Sequence, residues 1–244
     1  MVDRLTVEHL SKFYGKKHVV KDISFSMNSG DITGLLGPNG AGKTTSFYMI
    51  VGFIKSNGGT IKINDEDITS LQMHERSKMG LAYLPQEPSI FRKLTVEDNI
   101  RLVLEAQDYL TKKERKDKEE ELLVAFGIDR VRKQYGYTLS GGERRRTEIA
   151  RALATSPKFL LLDEPFAGID PKAVYEIKQI VKHLADNGIG ILLTDHNVRD
   201  TLEITTEAHI ISNGEILVSG TRNEVLENES AREIYFGRDF MDSY

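Results

Sequence analysis

Apolar residues in the first 36 positions fall in short alternating runs: LTVEHLSKFY, VVKDISFSM and, after the turn NSG, DITGLLG. Runs of this kind, bounded by turn formers, predict three strands. The spacing then lengthens, and a helix is expected from Gly42 to about Val51. GTIKIND and GLAYLP read as two further strands, the second closed by Pro85. Between about 88 and 157 the texture changes: VEDNIRLVLEAQDYL, KKERKDKEEELLVAFGI and GGERRRTEIARALA all carry helical apolar spacing, which predicts a helical insert. KFLLLDEP has no alternation, as expected of a strand covered on both faces. KAVYEIKQIVKHLADNG reads as a helix ending at Gly188, IGILLTDH as a strand, and AHIISNGEILVSGT as a hairpin around Asn213 and Gly214. One or two short helices are expected in a tail from about 222 to 244. Strand–helix alternation around a parallel core, an antiparallel N-terminal layer and a helical insert together predict an α/β chain forming a single domain over 1–244.

Composition changes this picture little. Of 244 residues, 39% are hydrophobic and 29% charged, an ordinary globular balance. The net charge of -4 and pI near 5.9 give no electrostatic footprint for nucleic acid. The absence of cysteine excludes disulfides and thiolate metal sites. MVDRLTVEHLSKFYG lacks the apolar region of a secretory signal, and apolar runs such as FLLL fall far short of the roughly 20 residues that span a bilayer. A cytoplasmic protein with no direct membrane insertion is expected; any role at a membrane would require docking onto another chain.

The chemistry starts at Gly37-Pro38-Asn39-Gly40-Ala41-Gly42-Lys43-Thr44, which fits G-x-x-x-x-G-K-[ST] between a predicted strand and a predicted helix. Glycines let successive backbone N–H groups turn toward phosphate oxygens, and the helix N-terminus adds its positive end. Lys43 is expected to reach the β- and γ-phosphates, and the Thr44 hydroxyl to ligate Mg²⁺, with Thr45 beside it in the ATP site. FLLLDEP ends an apolar strand in Asp163 and Glu164. Neighbours at a strand end point to opposite sides, so Asp163 is free to hold Mg²⁺ while Glu164 orients and deprotonates a water. In LSGGE, Ser140 and Glu143 satisfy a capping box, so one reading is a well-capped helix. Gly141 and Gly142 weaken a first turn, and they make sense where a phosphate approaches bare backbone.

Taken in order, these motifs resemble those of the ATP-binding cassette (ABC) ATPases, and the likeness runs from about residue 5 to 220. It implies a P-loop NTPase (RecA-like) core with an antiparallel β subdomain and the α-helical insert. It further implies that Ser140, Gly141, Gly142 and Glu143, the last where the commonest form has Gln, bind the γ-phosphate of ATP held by an opposite subunit. By the same resemblance Tyr14 stacks on adenine, and Gln86 contacts Mg²⁺ and faces a transmembrane partner. Asp170 in AGID forms the D-loop, and His196 in TDHN touches the γ-phosphate. One phosphate loop and one signature per chain then imply a head-to-tail homodimer enclosing two ATPs.

The family also implies two transmembrane permease subunits that dock into a groove lined by PQEPSIFRKLTVEDNI. Phe91, an apolar ring in a polar segment, suits a partner anchor, with Arg92 and Glu87 as flanks; the other reading is that Phe91 closes the core of the helical insert. Longer matches, including LSGGERRRTEIARALA and TDHNVRDTLE, are similar to ATPases of lipopolysaccharide exporters, which work peripherally on the cytoplasmic face of the inner membrane. A branched-chain amino-acid importer subunit, a ribosome- or DNA-associated cassette protein and a non-hydrolysing regulatory module stay open beside that reading. Tyr235, Phe236 and Phe240 give the tail more aromatic content than disorder needs, and they are expected to fold back on the dimer.

Overall fold

The computed structural model describes residues 2–236. Strands β1 (Arg4–Tyr14) and β2 (Lys17–Asn28) form a long hairpin, and β3 (Ile32–Leu36) leads into helix α1 (Lys43–Val51). There follow β4 (Gly58–Ile63), β5 (Glu66–Asp67), α2 (Met73–Lys78) and β6 (Leu81–Leu84). The helical insert contains α3 (Val96–Glu105), α4 (Lys112–Ala125) and α5 (Gly141–Leu153), with 3₁₀ turns at Asp129–Val131 and Gly136–Thr138. The chain returns through β7 (Phe159–Asp163), α6 (Pro171–Asp186), β8 (Gly190–Thr194) and α7 (Val198–Leu202). It ends with β9 (Glu207–Ser212), β10 (Glu215–Gly220), α8 (Arg222–Glu227) and two short helical turns reaching Phe236.

The ten strands lie in the order β5-β4-β1-β2-β10-β9-β3-β8-β7-β6. β9, β3, β8, β7 and β6 run parallel, whereas β5, β4, β1 and β2 are antiparallel. The two halves are joined in the sheet where Glu215 pairs with Asp22 and the Gly214 carbonyl accepts from the Lys21 and Asp22 N–H groups. Strands β3, β6, β7 and β8 are almost wholly apolar, because both faces are covered. Leu161 and Leu192 face the core around α1, and their neighbours Leu160, Leu162, Ile191 and Leu193 face the core under α5 and α6. The pairs Asp163–Thr194 and Leu84–Leu162 bring the ends of β6, β7 and β8 level with one another. Loops leaving these carboxyl ends open into one crevice, the usual ligand position of such sheets.

Helix α2 was not legible from the pattern, since MHERSK shows no apolar stripe. It is held by Arg76, whose fully buried guanidinium donates to the carbonyls of Leu71, Met49, Ile50 and Thr69. Two of those acceptors lie in the last turn of α1, where carbonyls lack helical partners. A polar side chain thus closes the helix that follows the phosphate loop.

His209 is the counterpart in the second sheet half. It lies on β9, 3% exposed, against the Phe25 ring, with Nδ1 2.8 Å from Ser219 Oγ across the strand pair. Burial pushes its pKa down to about 4, so the folded protein keeps the ring neutral. The unfolded chain binds the extra proton below about pH 6.5, and stability is therefore lost as pH falls from 6.5 toward 4. The shift corresponds to about 3 kcal/mol. His209→Gln is expected to remove most of that slope in urea titrations at pH 4.5 and pH 7, and an unchanged slope would assign it elsewhere.

Candidate functional site

The phosphate loop follows β3 with glycines at φ 147° (Gly37), 78° (Gly40) and 108° (Gly42), a conformation side chains with a Cβ resist. At Gly37 there is also no room, since an added Cβ would lie 2.1 Å from the Ile211 carbonyl oxygen. Lys43 is buried, and its ammonium donates to the carbonyls of Gly37 and Pro38. Burial holds its pKa below the ordinary lysine value, with the nearby Glu164 charge opposing that shift. The cleft beside the loop has a volume near 370 Å³ and is lined by Lys17, Val19, Asn39, Gly40, Gly42, Lys43, Thr44, Thr45 and His196. Ala41 is buried behind it, Pro38 half-buried. Thr44 is exposed toward solvent.

Asp163 and Glu164 follow as the strand β7 ends. Asp163 is buried and accepts a hydrogen bond from the Tyr83 hydroxyl at 3.3 Å. Loss of water, then the neighbouring Glu164 charge, raises its pKa above the usual carboxylate range. Glu164 turns away with φ 44°, a left-handed backbone that a residue with a Cβ adopts only under constraint. Its Oε1 lies 2.7 Å from His196 Nε2, and its Oε2 accepts from Gln86 Nε2 at 2.6 Å. The two acids therefore serve different neighbours, through this strained residue as much as through pleat alternation.

His196 itself is placed by Asp195, which the sequence pattern did not single out. The buried Asp195 carboxylate accepts from the Asn197 N–H at 2.8 Å and the Phe166 N–H at 3.1 Å, binding the loop after β8 to the loop after β7. Burial raises its pKa, and those two N–H donors oppose the shift. An acid beside a histidine at the end of an apolar strand was the available signal.

The capping box forms as expected. Ser140 Oγ accepts from the Glu143 N–H, and the Glu143 carboxylate accepts from the Ser140 N–H at 3.1 Å and hydroxyl at 2.7 Å. Gly142 has a packing reason as well, because an added Cβ would lie 3.2 Å from the Ala173 Cβ of α6. Gly141 has no such restriction beyond an ordinary 3.6 Å contact with Ile169. Asp170 is exposed and caps α6 by accepting from the Ala173 N–H at 3.1 Å. None of Ser140, Gly141, Gly142 or Glu143 borders the phosphate-loop cleft.

Tyr14 ends β1, half exposed, with the Lys12 ammonium 5.4 Å from its ring centre. It pairs across the hairpin with Lys17, which does line the cleft. Lys17 and Val19 were not identified from sequence; the position of Lys17 directly across the turn from Tyr14 was the cue.

A second groove, near 520 Å³, is lined by Tyr48, Phe53, Met73, Tyr83, Gln86 and Arg151 among others. Helix α5 grips its rim. Arg145 donates to the Pro85 carbonyl at 2.8 Å, Glu148 accepts from the Ser89 and Ile90 N–H groups, and Arg151 donates to the Ser89 carbonyl at 2.9 Å. Phe91 is 47% exposed beneath the Arg151 guanidinium, 5.0 Å from it, whereas Ile90 enters the core of the insert. Arg92 and Glu87 are exposed. In the tail, Tyr235 packs on Leu36 and its neighbours and is hydrogen-bonded by the Gly37 backbone; burial pushes its pKa up to about 12. The Phe236 side chain and Phe240 lie outside the described residues.

Lys17 makes a direct test of the cleft. Lys17→Ala is expected to weaken ATP binding about threefold to tenfold, measured by equilibrium titration, with an unchanged melting temperature.

Comparison with known proteins gives the geometry a family. The ABC transporter model matches residues 20–167. The chain is 52% identical over 236 residues to the lipopolysaccharide export system ATP-binding protein LptB of Escherichia coli (strain K12), covering 97% of this chain and 98% of that protein. It is equally similar, over the same shares, to the protein of that name from Haemophilus influenzae. Among solved structures it resembles the ADP conformation of an ATP-binding cassette of an ABC transporter, with a TM-score of 0.85, 29% identity and coverage of 97% and 99%. Among the described residues no helix is long and apolar enough to cross a membrane. With its phosphate loop, strand-end acids and capped signature on this fold, the chain belongs to the ABC transporter family as an ATP-hydrolysing, ATP-binding subunit.

Proposed function

We propose that this chain powers lipopolysaccharide export as a head-to-tail homodimer on the cytoplasmic face of the inner membrane, driving two separate transmembrane subunits. The observation that carries this reading is the near-complete, high-identity match to exporter subunits of two bacteria, which favours export over the amino-acid importer alternative. A net charge of -4 argues against a nucleic-acid role, and the Glu164–His196 pair against a regulatory module without turnover.

The site supports ATP with Mg²⁺. Thr44, Asp163 and Gln86 offer an oxygen donor set suited to a hard cation, beside the loop whose Gly40, Gly42 and Lys43 face the cleft. When bound, magnesium would offset the charge between the β- and γ-phosphates. Lys43 would leave the Gly37 and Pro38 carbonyls for the phosphates, and Tyr14 would cover the adenine. Glu164 would orient the attacking water and take its proton. In this structure both Glu164 oxygens are engaged, by His196 and Gln86. Each of those oxygens keeps a further lone pair, so either can accept from the attacking water beside its present partner. Ser140, Gly141, Gly142 and Glu143 stand clear of the cleft of their own chain, so they would meet the γ-phosphate held by a second copy, with Asp170 at the same junction. Exposed Phe91, with Arg92 beside it, would anchor a partner helix at the groove.

Glu164→Gln is expected to slow hydrolysis at least a hundredfold and to elute as a dimer with saturating Mg-ATP. A variant that elutes as a monomer there would refute the paired arrangement. Tagged protein purified from gently solubilised native membranes is expected to bring down two membrane proteins with bound lipopolysaccharide, and Phe91→Ala to lose them while retaining ATP binding. Recovery of amino-acid permease subunits would overturn the cargo. Recovery of no membrane protein would overturn the docking role.

A further inference from the structure

One side chain belongs both to the aromatic groove and to the carboxylate pair. Tyr83 lies on β6, paired in parallel register with Leu161, two positions before Asp163 on β7. Residues two apart on a strand share a face, so the Tyr83 side chain and the Asp163 carboxylate lie on the same side of the sheet. A tyrosine is long enough to cover that step, and its hydroxyl reaches Asp163 Oδ2 at 3.3 Å. Tyr48 lines the same groove. The ring meets the half-exposed Phe53 edge-on, with centres 5.1 Å apart and planes at 88°, and Phe53 in turn meets Tyr48 edge-on at 5.6 Å. Tyr48 and Phe47 belong to α1, the helix that begins with Lys43 and Thr44, and Phe47 lies 6.1 Å from the Tyr83 ring.

We propose that Tyr83 is a positioning residue that couples occupancy of the aromatic groove to the orientation of the Asp163 carboxylate, and through it to the divalent cation bound with the nucleotide. This deepens, and rests on, the reading of the groove as a docking surface and of Asp163 as a cation-holding acid. A carboxylate with one oxygen held by a fixed donor presents the other in one direction, whereas an unrestrained carboxylate must be ordered when the cation arrives. A helix pressed onto Phe53 and Tyr48 moves the ring that carries the donor. The route is short: an occupant, Phe53 or Tyr48, Tyr83, Asp163. It bypasses Gln86, which contacts Glu164 instead.

The chain contains no tryptophan, so Phe53→Trp places a single indole in the groove. The full-length protein is loaded with a non-hydrolysable ATP analogue in chelator, and Mn²⁺ is then titrated in place of Mg²⁺. The indole emission is expected to change with Mn²⁺ in Phe53→Trp and to stay constant when Tyr83→Phe is added. In Tyr83→Phe alone, Mn²⁺ affinity measured by electron paramagnetic resonance of the free ion is expected to fall about threefold to tenfold, with metal-free nucleotide binding unchanged. Unaltered Mn²⁺ affinity in Tyr83→Phe, or an indole response that survives it, overturns the coupling. All of these readouts use the isolated chain. Failure of the coupling therefore leaves the membrane co-purification result standing, and failure of docking in that experiment leaves the Mn²⁺ result standing.

Discussion

Two acids of like charge sit side by side at the end of β7, one of them buried, and much of the surrounding structure works to hold them apart. Burial works against the charged form of Asp163, and the neighbouring Glu164 charge adds to that tendency. The chain answers with separate partners. Asp163 turns to the Tyr83 hydroxyl beneath the sheet edge, while Glu164 adopts a left-handed backbone and turns to Gln86 and His196. The strain at Glu164 persists because its N–H bonds the Thr194 carbonyl at 2.8 Å, fixing it against β8. The register of β7 on β8 thus determines where the two carboxylates lie.

Around that pair, polar side chains do structural work where apolar ones could not. Arg76 satisfies carbonyls at the end of α1, Asp195 joins two loops through backbone N–H groups, and Glu148 holds the segment beyond Gln86. Each is buried and each bonds backbone groups, Glu148 also facing the Arg145 guanidinium. Backbone groups in loops near a site have no ladder to satisfy them, and losing a buried partner is costly. Helix α5 is consequently attached both to the signature at its N-terminus and to the groove along its length, so the two cannot shift independently.

The resemblance to ATP-binding cassettes and the geometry address different questions. Family membership rests on identity across the whole chain. The arrangement of Lys43, Glu164, Gln86 and His196 is a matter of geometry: a buried ammonium capped by carbonyls and an acid whose two oxygens face Gln86 and His196.

Most elements, and the motifs that make up much of the candidate site, were legible in the residues alone. Alternation in LTVEHLSKFY, the apolar run before Asp163, the turn at Asn213 and Gly214, and G-x-x-x-x-G-K-T each encode local physics: period, burial on two faces, positive φ and phosphate access. Ser140 and Glu143 announced their capping box for the same reason, since its partners are three residues apart. What stayed hidden was non-local. Helix α2 has no apolar stripe and depends on Arg76 reaching across to α1, some 26 residues away in sequence. Lys17 enters the cleft through hairpin register, and Asp195 matters only because Phe166, 29 residues earlier, lies beside it. Phe91 was ambiguous because an apolar ring in a polar segment reads the same inside or outside; the packing of Ile90 beneath it left Phe91 exposed. Tyr83 looked like one more apolar strand residue, and only strand pairing placed its hydroxyl against Asp163, 80 positions away. Local periodicity and turn chemistry are written in neighbouring residues, whereas contacts between distant strands exist only once the sheet has set their register.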